Sequence, residues 1–220
     1  MDTDKPSLRR QALELVAADS HRVGTRLAQS GGVSRQVANG YLQALVRDGL
    51  VDAEGTTRAR VYRLKTLVEA SRRYPRDGLQ EDLVWREFVS PVVARFPQNV
   101  RDIWHYAATE MINNAIDHSG AADVLVEVRK NELTTEVLVA DEGEGIFVKI
   151  QRALDLHDPR EAILELAKGK LTTAPEQHTG EGIFFTSRAL DFFEIESHHL
   201  RFSHAPRADD AIAEQAADTP

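Results

Sequence analysis

The segment Ala107–His118, which reads AATEMINNAIDH, governs the interpretation of the whole chain. It contains neither glycine nor proline, and its apolar residues recur at helical spacing. Glu110, Asn114 and Asp117 stand at i, i+4 and i+7, so they project from one face of that helix. The apolar stripe that can seat the helix on a sheet consists of Ala107, Met111, Ile112 and Ala115. Many amphipathic helices carry such polar residues towards solvent, but the combination also suits binding a metal and positioning a water.

A second motif follows two predicted strands, 123–129 and 132–140, which are joined by a tight turn. Asp141 comes directly after the second strand and precedes Gly143 and Gly145. A carboxylate at the end of a strand can accept a hydrogen bond from an exocyclic amine, and glycines beside it allow the backbone to approach a ring closely. These features are compatible with a pocket for an aromatic ring that bears an amine.

A third motif, Thr179-Gly180-Glu181-Gly182, opens a predicted helix that runs from residue 183 to residue 191. The free backbone N–H groups at a helix N-terminus can face phosphates. Each Gly-x-Gly is a weak signal by itself. The specific signal is the order of the three motifs along the chain: a helix with Glu-x-x-x-Asn-x-x-Asp, then Asp-x-Gly-x-Gly after a strand, then Thr-Gly-x-Gly before a helix.

These motifs resemble the ATP-binding domain shared by gyrase, the ninety-kilodalton heat-shock chaperone, histidine kinases and mismatch-repair ATPases, which form the GHKL group. The resemblance covers about residues 98–204. It implies an α/β two-layer sandwich of the Bergerat, or histidine kinase-like ATPase, type. It also implies that ATP and Mg²⁺ are the cofactors.

The resemblance implies a role for each polar residue of the helix. Glu110 is expected to be the general base that orients the attacking water, and Asn114 to bind Mg²⁺ through its amide oxygen. Asp117 is expected to contribute to nucleotide binding by tying the helix to the base pocket, and Asp141 to recognise the adenine amine. The other expected contacts are Gly143 and Gly145 in the base pocket, Thr179, Gly180 and Gly182 around the phosphates, and Lys168 and Lys170 in a mobile lid over residues 147–178. Either lysine could contact a phosphate, but a lysine exposed to solvent on the lid is an equally good interpretation.

Two departures from the GHKL pattern bear on function. No His-Glu-x-x-x-Pro segment is present to accept a phosphoryl group, which argues against a self-sufficient histidine kinase. The family's sheet normally closes with a strand opened by Gly-Thr, whereas residues 205–220 include an Ala/Asp-rich tail that composition predicts to be disordered. We therefore expect either that the domain lacks its last strand or that the chain is truncated.

Residues 1–66 show a separate pattern, three predicted helices followed by a hairpin over residues 50–64. It resembles a winged helix-turn-helix of the bacterial regulator type, in which the third helix enters the major groove and the hairpin meets phosphate. Val37 and Tyr41 are predicted to lie in the buried stripe of that helix with Leu42 and Leu45. The expected DNA contacts are Ser34, Arg35, Gln36, Asn39, Arg58 and Arg60, since Arg, Gln and Asn make bidentate contacts to purine edges. Winged helices also serve as protein-docking modules, and that alternative stays open.

Charge is distributed unevenly along the 220 residues, whose net charge is −8. Residues 1–65 hold 11 basic and seven acidic side chains, a balance of +4, so the rest of the chain is strongly acidic. A basic N-terminal third suits a polyanionic partner. Residues 67–97 are predicted to be a helical connector between two domains of different charge.

Cysteine is absent, and the chain has no apolar run of the roughly 18 residues that a membrane span requires. The first residues are polar and acidic, unlike a secretory signal. We therefore expect a cytoplasmic protein without a membrane span.

Taken together, the patterns predict an α+β protein that resembles bacterial regulators joining a winged helix to this ATPase domain. The first functional hypothesis is transcription regulation, in which the nucleotide state gates DNA binding and a homodimer or a partner adds affinity. The alternative is a serine/threonine protein kinase of the anti-sigma-factor type that acts on a STAS-like partner in a sigma-factor pathway. A binding module without turnover is a third hypothesis, which a general base at Glu110 disfavours. The sequence leaves open whether turnover is ATP hydrolysis or phosphoryl transfer.

Overall fold

A computed structural model describes residues 7–56, 59–168, 182–206 and 210–214 of the chain. Internal contacts divide the chain into two compact units. The first unit combines residues 1–70 with 128–136, and the second combines 71–127 with 137–220. The inclusion of residues 128–136 in the first unit departs from the predicted division into consecutive domains, because a hairpin brings residues together that are distant in sequence.

The first unit contains three helices followed by a hairpin. The helices are α1 (Leu8–Ala18), α2 (Val23–Gly31) and α3 (Arg35–Arg47), and the antiparallel strands are β1 (Val51–Glu54) and β2 (Val61–Leu64). Ser34 caps α3, since its hydroxyl oxygen accepts a hydrogen bond from the backbone N–H of Val37 at 3.2 Å. All five elements contribute buried residues to one core, namely Ala12, Leu13, Val16, Val23, Leu27, Ala38, Leu42, Leu45, Val51 and Tyr62.

The buried face of α3 differs from the predicted one. The side chains of Val37 and Tyr41 were expected in the core but are 45% and 37% exposed. Ala38 is buried in their place, beside Leu42 and Leu45. Both sets of residues fit a period of 3.6 residues, so the apolar pattern leaves the rotation of the helix undetermined. Packing decides it, because α2 approaches this face of α3 closely: a β-carbon on Gly24 would lie 2.5 Å from Asn39 Oδ1 and 3.5 Å from a methyl carbon of Leu42.

Residues 128–136 hold the turn between β4 (Asp123–Lys130) and β5 (Thr135–Asp141). Asn131 closes this turn, because its Oδ1 accepts hydrogen bonds from the backbone N–H groups of Leu133 and Thr134 at 2.8 and 2.9 Å. The Leu133 side chain packs against the core of the first unit. The turn therefore contributes an apolar residue to a core built otherwise from the N-terminal helices and hairpin.

The connector, predicted to be helical over residues 67–97, begins instead with a strand. β3 (Val68–Pro75) pairs with β4, and the sheet order is β3-β4-β5. Local sequence does not reveal this pairing, because the partner strand lies about 50 residues away in sequence and supplies the hydrogen bonds that select the extended backbone. A helical stretch follows, made of α4 (Glu81–Val84), a π-helical turn (Trp85–Val89) and α5 (Ser90–Val93). Pro91 has no N–H to donate to a carbonyl of the preceding turn, which accounts for the irregular helix at this point.

The second unit continues with α6 (Gln98–His118), the helix that contains the opening segment. After β4 and β5, the unit contains α7 (Ile146–Ala153), α8 (Pro159–Lys168), α9 (Gly182–Ala189), β6 (Phe193–Ser197), β7 (Leu200–His204) and β8 (Ala211–Glu214). The last three strands form a separate antiparallel sheet of order β6-β7-β8. This mixture of helices and antiparallel sheets confirms the predicted α+β class.

The segment predicted to be a mobile lid, residues 147–178, begins with two packed helices. Phe147 and Ile150 of α7 and Ala162, Ile163 and Leu166 of α8 are buried in one apolar cluster with residues of β6 and β7. Their periodic apolar faces account for this packing. Residues 169–178 lie outside the described part of the chain.

The tail, residues 205–220, was predicted to be disordered, but four of its residues form β8. Ile212 stands opposite Phe202 of β7 in the antiparallel register. Strand pairing with β7 satisfies the backbone groups of a segment whose composition alone would not order it. The second sheet therefore has a third strand that sequence analysis missed. No helix in the described ranges is long and apolar enough to cross a bilayer.

Candidate nucleotide-binding site

Helix α6 presents the predicted catalytic and metal-binding side chains along one face. Glu110 and Asn114 are half-buried, whereas Asp117, near the C-terminal end, is exposed. The opposite side is anchored in the unit by the buried residues Ala108, Ile112 and Ala115, and Ala107, one turn before Glu110, is buried as well. This anchoring fixes the direction in which the carboxylate and the amide point, because the helix cannot rotate without exposing its apolar stripe.

Gly182, the last residue of the Thr-Gly-x-Gly motif, lies close to Glu110 of α6. It is the first residue of α9, and a β-carbon at this position would overlap Oε2 of Glu110. The Glu110 carboxylate therefore lies against the N-terminus of α9, where backbone N–H groups have no partner within the helix. A glycine at residue 182 is a steric requirement of this approach, which gives a structural reason for the second glycine of the Gly-x-Gly.

Asp141 ends β5, as predicted, but its side chain is exposed. Its Oδ1 accepts a hydrogen bond from the backbone N–H of Gly143 at 2.9 Å. A β-carbon on Gly143 would overlap the backbone oxygen of Ser119, which also accepts a hydrogen bond from Glu144 N–H at 3.2 Å. The Asp-x-Gly-x-Gly loop is therefore closed onto the C-terminal end of α6 by backbone contacts that only glycine at residue 143 permits.

The second glycine of this loop, Gly145, adopts a φ of +82° and directly precedes α7. A β-carbon there would collide with Ser197 Oγ and the imidazole of His198 in the turn between β6 and β7. Both the positive φ and the lack of space require glycine at this position. The loop is thus held between α6 on one side and the β6–β7 turn on the other.

Sequence reasoning missed two residues that support this loop. Ser119 is buried, and its Oγ donates to the backbone oxygen of Ala115 at 2.5 Å and accepts from the N–H of Ala121 at 3.1 Å. Lys149 of α7 donates from Nζ to the backbone oxygen of His118 at 2.9 Å, which places a positive charge at the negative end of the α6 dipole. Neither residue belongs to a local motif, so only the tertiary contacts reveal it.

A second missed group ties α9 to the last sheet. Arg188 of α9 donates to the Asp210 carboxylate at 2.8 Å, and His204 Nδ1 lies 2.6 Å from the same carboxylate. Burial raises the pKa of Asp210, but hydrogen bonds from His204 and Arg188 outweigh it, so the pKa lies below the ordinary value of 3.8. The group therefore holds α9 against β7 and the residue that precedes β8.

Several predicted site residues cannot be related to this geometry. Thr179, Gly180, Lys170 and Arg58 lie outside the described residues, as does the side chain of Lys168. In the first unit, Arg35, Gln36 and Asn39 lie exposed on the first turns of α3. The Arg60 guanidinium carbon lies 5.7 Å from the centre of the Tyr62 ring. The hydroxyl of Ser34 is occupied in capping α3.

A family model described as a histidine kinase-like ATPase domain matches residues 80–201, more than half of the chain. The chain belongs to the histidine kinase-like ATPase family. The match takes in all three motifs and also α4 to α5, which precede the predicted start of the domain at residue 98. Comparison with curated proteins and with solved structures found no match.

Membership of the histidine kinase-like ATPase family implies ATP binding, and the described geometry is compatible with it. The Glu110 carboxylate lies at the N-terminus of α9, and helix N-termini favour phosphates. The half-buried amide of Asn114 lies one turn further along α6, and a glycine loop that starts from the Asp141 carboxylate contacts the C-terminal end of that helix. These are the groups that a phosphate, a hard cation and an amine-bearing base would each require.

Proposed function

We propose that this protein is a regulator that binds ATP and Mg²⁺, and that its nucleotide state gates DNA binding by the first unit. The observation that carries the ATP site is the contact between Glu110 and Gly182. It joins the candidate general base to the helix N-terminus that would receive the phosphates. A carboxylate in that position can accept a proton from a water that attacks the γ-phosphate.

Asn114 fits the magnesium role. It lies one turn beyond Glu110 on the same side of α6 and is half-buried. An amide oxygen is a hard, neutral ligand, and Mg²⁺ bound to a nucleotide commonly takes only one or two protein ligands beside phosphate and water. When bound, the ion would supply charge neutralisation for the phosphates, while Asn114 would fix its position relative to Glu110.

Asp141 is the proposed receptor for the adenine amine. Its Oδ1 is held by the N–H of Gly143, which orients the carboxylate, and Oδ2 is the oxygen that we assign to the base. The side chain is exposed, so a base could reach it without rearrangement of the loop. Gly143 and Gly145 add no side chains of their own, so the backbone at these two positions can approach a ring closely.

The first unit is the proposed DNA-binding part. Its described elements occur in the order of a winged helix-turn-helix, with two helices, a third helix capped by Ser34, and a hairpin. Residues 1–65 carry a balance of +4 in a chain of net charge −8. A positively charged region on an otherwise acidic protein is suited to binding the phosphate backbone of DNA.

Gating is tested by titrating fluorescent duplexes, enriched from a random pool, with the full-length protein. The titrations are run without nucleotide, with ATP and Mg²⁺, and with ADP and Mg²⁺. We expect the apparent affinity to differ between the ATP and ADP series, since a ligand can shift a two-state equilibrium only by its differential affinity. Equal affinities in all three series would contradict gating while leaving DNA binding intact.

A second candidate function is a serine/threonine protein kinase of the anti-sigma-factor type with a STAS-like substrate. The observation that favours it is the candidate base at Glu110 in a sequence without a histidine phosphoacceptor segment. Incubation with ATP labelled in the γ-phosphate separates the candidates, because the label appears as free phosphate in one case and on a protein serine or threonine in the other. Label in neither form, with ATP bound, would leave a binding module without turnover.

A further inference from the structure

The outward face of α3 has a composition that the described fold does not explain. Four exposed residues follow one another at i, i+4, i+7 and i+11, namely Gln36, Gly40, Gln43 and Arg47. We call them the outer stripe, because they lie opposite the buried residues Ala38, Leu42 and Leu45. The stripe therefore faces away from the core of the first unit.

Gly40 stands near the middle of this stripe without a packing reason. Glycine within a helix is destabilising relative to alanine, so its presence usually reflects a close approach. Gly24 of α2 has such a reason, since a β-carbon there would lie 2.5 Å from Asn39 Oδ1. A β-carbon on Gly40 would meet no atom of the described residues within 4 Å. The notch at Gly40 is thus free to admit another molecule close to the helix backbone.

Two apolar side chains border the notch. Val37 and Tyr41 are one turn apart, and their side chains are 45% and 37% exposed, although their residue types favour burial. Together with Gly40 they form a patch in which the backbone is accessible on one side and apolar groups stand on the other. Backbone N–H groups within a helix already bond to carbonyls one turn earlier, so Gly40 provides room for a close approach and not a hydrogen-bond donor. The 5-methyl group of thymine is an apolar group of the major groove that matches the exposed side chains of Val37 and Tyr41.

Charge selects nucleic acid as the occupant. The 13 residues of α3 include Arg35 and Arg47 but no aspartate or glutamate. The surrounding residues 1–65 also carry a positive balance of +4. An apolar notch that a protein helix would fill does not need a cationic border, whereas the phosphates that flank a major groove do.

We propose that α3 reads thymine in the major groove, with Gly40 admitting the base edge to the helix and Val37 and Tyr41 contacting thymine 5-methyl groups. The proposal rests on the DNA binding proposed above and adds the base feature that is read. Gln36 and Gln43, as amides on the outer stripe, are the groups placed to bond the adenine partners.

The test uses the full-length protein and duplexes enriched from a random pool. The enriched duplex is then synthesised with thymine or with uracil, which lacks only the 5-methyl group. We expect uracil to weaken binding of the wild-type protein several-fold and Val37→Ala to remove most of that difference. Gly40→Ala is expected to weaken binding at least about tenfold, as for the loss of one base-pair contact, without lowering the midpoint of thermal unfolding.

Ala17→Leu serves as the control, because Ala17 is exposed on α1 and the change adds bulk away from α3. Failure to enrich any duplex would overturn the proposed DNA binding itself. Enrichment followed by equal binding of thymine and uracil duplexes, with Gly40→Ala like the wild type, would overturn only the thymine inference. If the patch around Gly40 binds a protein and not DNA, no duplex will be enriched.

Discussion

The α-carbon of Gly182 faces the carboxylate of Glu110 so closely that a β-carbon at residue 182 would overlap Oε2. Two residues that are about 70 positions apart in sequence therefore occupy one site. The relationship connects the candidate base on α6 with the helix N-terminus on α9, and it gives a first prediction for the chemistry.

Gly182→Ala should impair turnover by moving the Glu110 carboxylate. The end of a glutamate side chain is flexible, so we expect little loss of stability but a decrease in kcat of about 10²-fold, the effect of a misplacement near 1 Å. Steady-state ATPase or kinase assays measure it. Ala17→Leu, which adds bulk at an exposed position of α1, is the control and should leave kcat unchanged. Full activity of Gly182→Ala would contradict the proposed role of the contact.

Glu110→Gln should separate binding from catalysis. The amide preserves the shape of the side chain but cannot accept a proton, so kcat should fall by about 10²–10⁴-fold. Affinity for ATP, measured by titration calorimetry, should remain within a few-fold of the wild type. Asp102→Asn, on an exposed position of the same helix, should change neither quantity. Turnover that persists in Glu110→Gln would assign the base to another residue.

Asp141→Asn should weaken ATP binding and selectivity for adenine. Hydrogen bonds to a charged group are worth about 1.5–3 kcal/mol, which corresponds to roughly 10–100-fold in Kd. Competition between ATP and GTP for a fluorescent nucleotide measures both effects. Glu142→Gln removes the neighbouring exposed carboxylate and is expected to have little effect. If Asp141→Asn still preferred ATP over GTP, the assignment of Asp141 to the adenine amine would be refuted.

Lys149→Met should destabilise the second unit, because the Nζ group that caps the C-terminus of α6 is lost. A cation at this end of a helix contributes about 0.3–1 kcal/mol, or up to about 2 kcal/mol when partly buried. Urea denaturation measures the change in the free energy of unfolding. Arg152→Met is the control. The Arg152 side chain pairs with Glu144 but is 70% exposed, and exposed ion pairs contribute little to stability. A greater loss in Arg152→Met than in Lys149→Met would contradict this ranking.

Stability should depend on Asp210 in a defined pH range. The pKa of Asp210 lies below 3.8, so the ionised carboxylate contributes stability that is fully present above pH 3.8. That contribution is lost as the pH falls through the folded-state pKa. Asp210→Asn should therefore be less stable than the wild type in urea at pH 6, with a difference that narrows as the pH is lowered below 3.8. If the two proteins differed in stability by the same amount at pH 6 and below pH 3.8, ionisation of Asp210 would not be the cause.

Much of the candidate site could be predicted from short motifs. Glu110 and Asn114 share a face because helical spacing fixes their directions, and Asp141 ends a strand because alternating residues lead up to it. The supporting residues could not be predicted. Ser119 and Lys149 act through contacts with backbone groups of α6, and such contacts leave no periodic pattern.

The errors in the fold have a common physical origin. β3 and β8 are strands because β4 and β7 supply their hydrogen-bonding partners, whereas the local sequences indicated a helix and a disordered tail. The rotation of α3 likewise depends on which side chains fit against α2, so Val37 and Tyr41 are exposed although their apolar spacing permits burial.

The sequence by itself determined the order of the three motifs, the helix face shared by Glu110 and Asn114 and the uneven charge, because each depends on neighbouring residues. Only the tertiary structure decided that Glu110 lies against Gly182, that Gly145 is enclosed by the β6–β7 turn, and that Gly40 has open space beside it. These are close approaches between distant segments, and steric exclusion at a few ångströms is a property of the packed chain rather than of any one stretch.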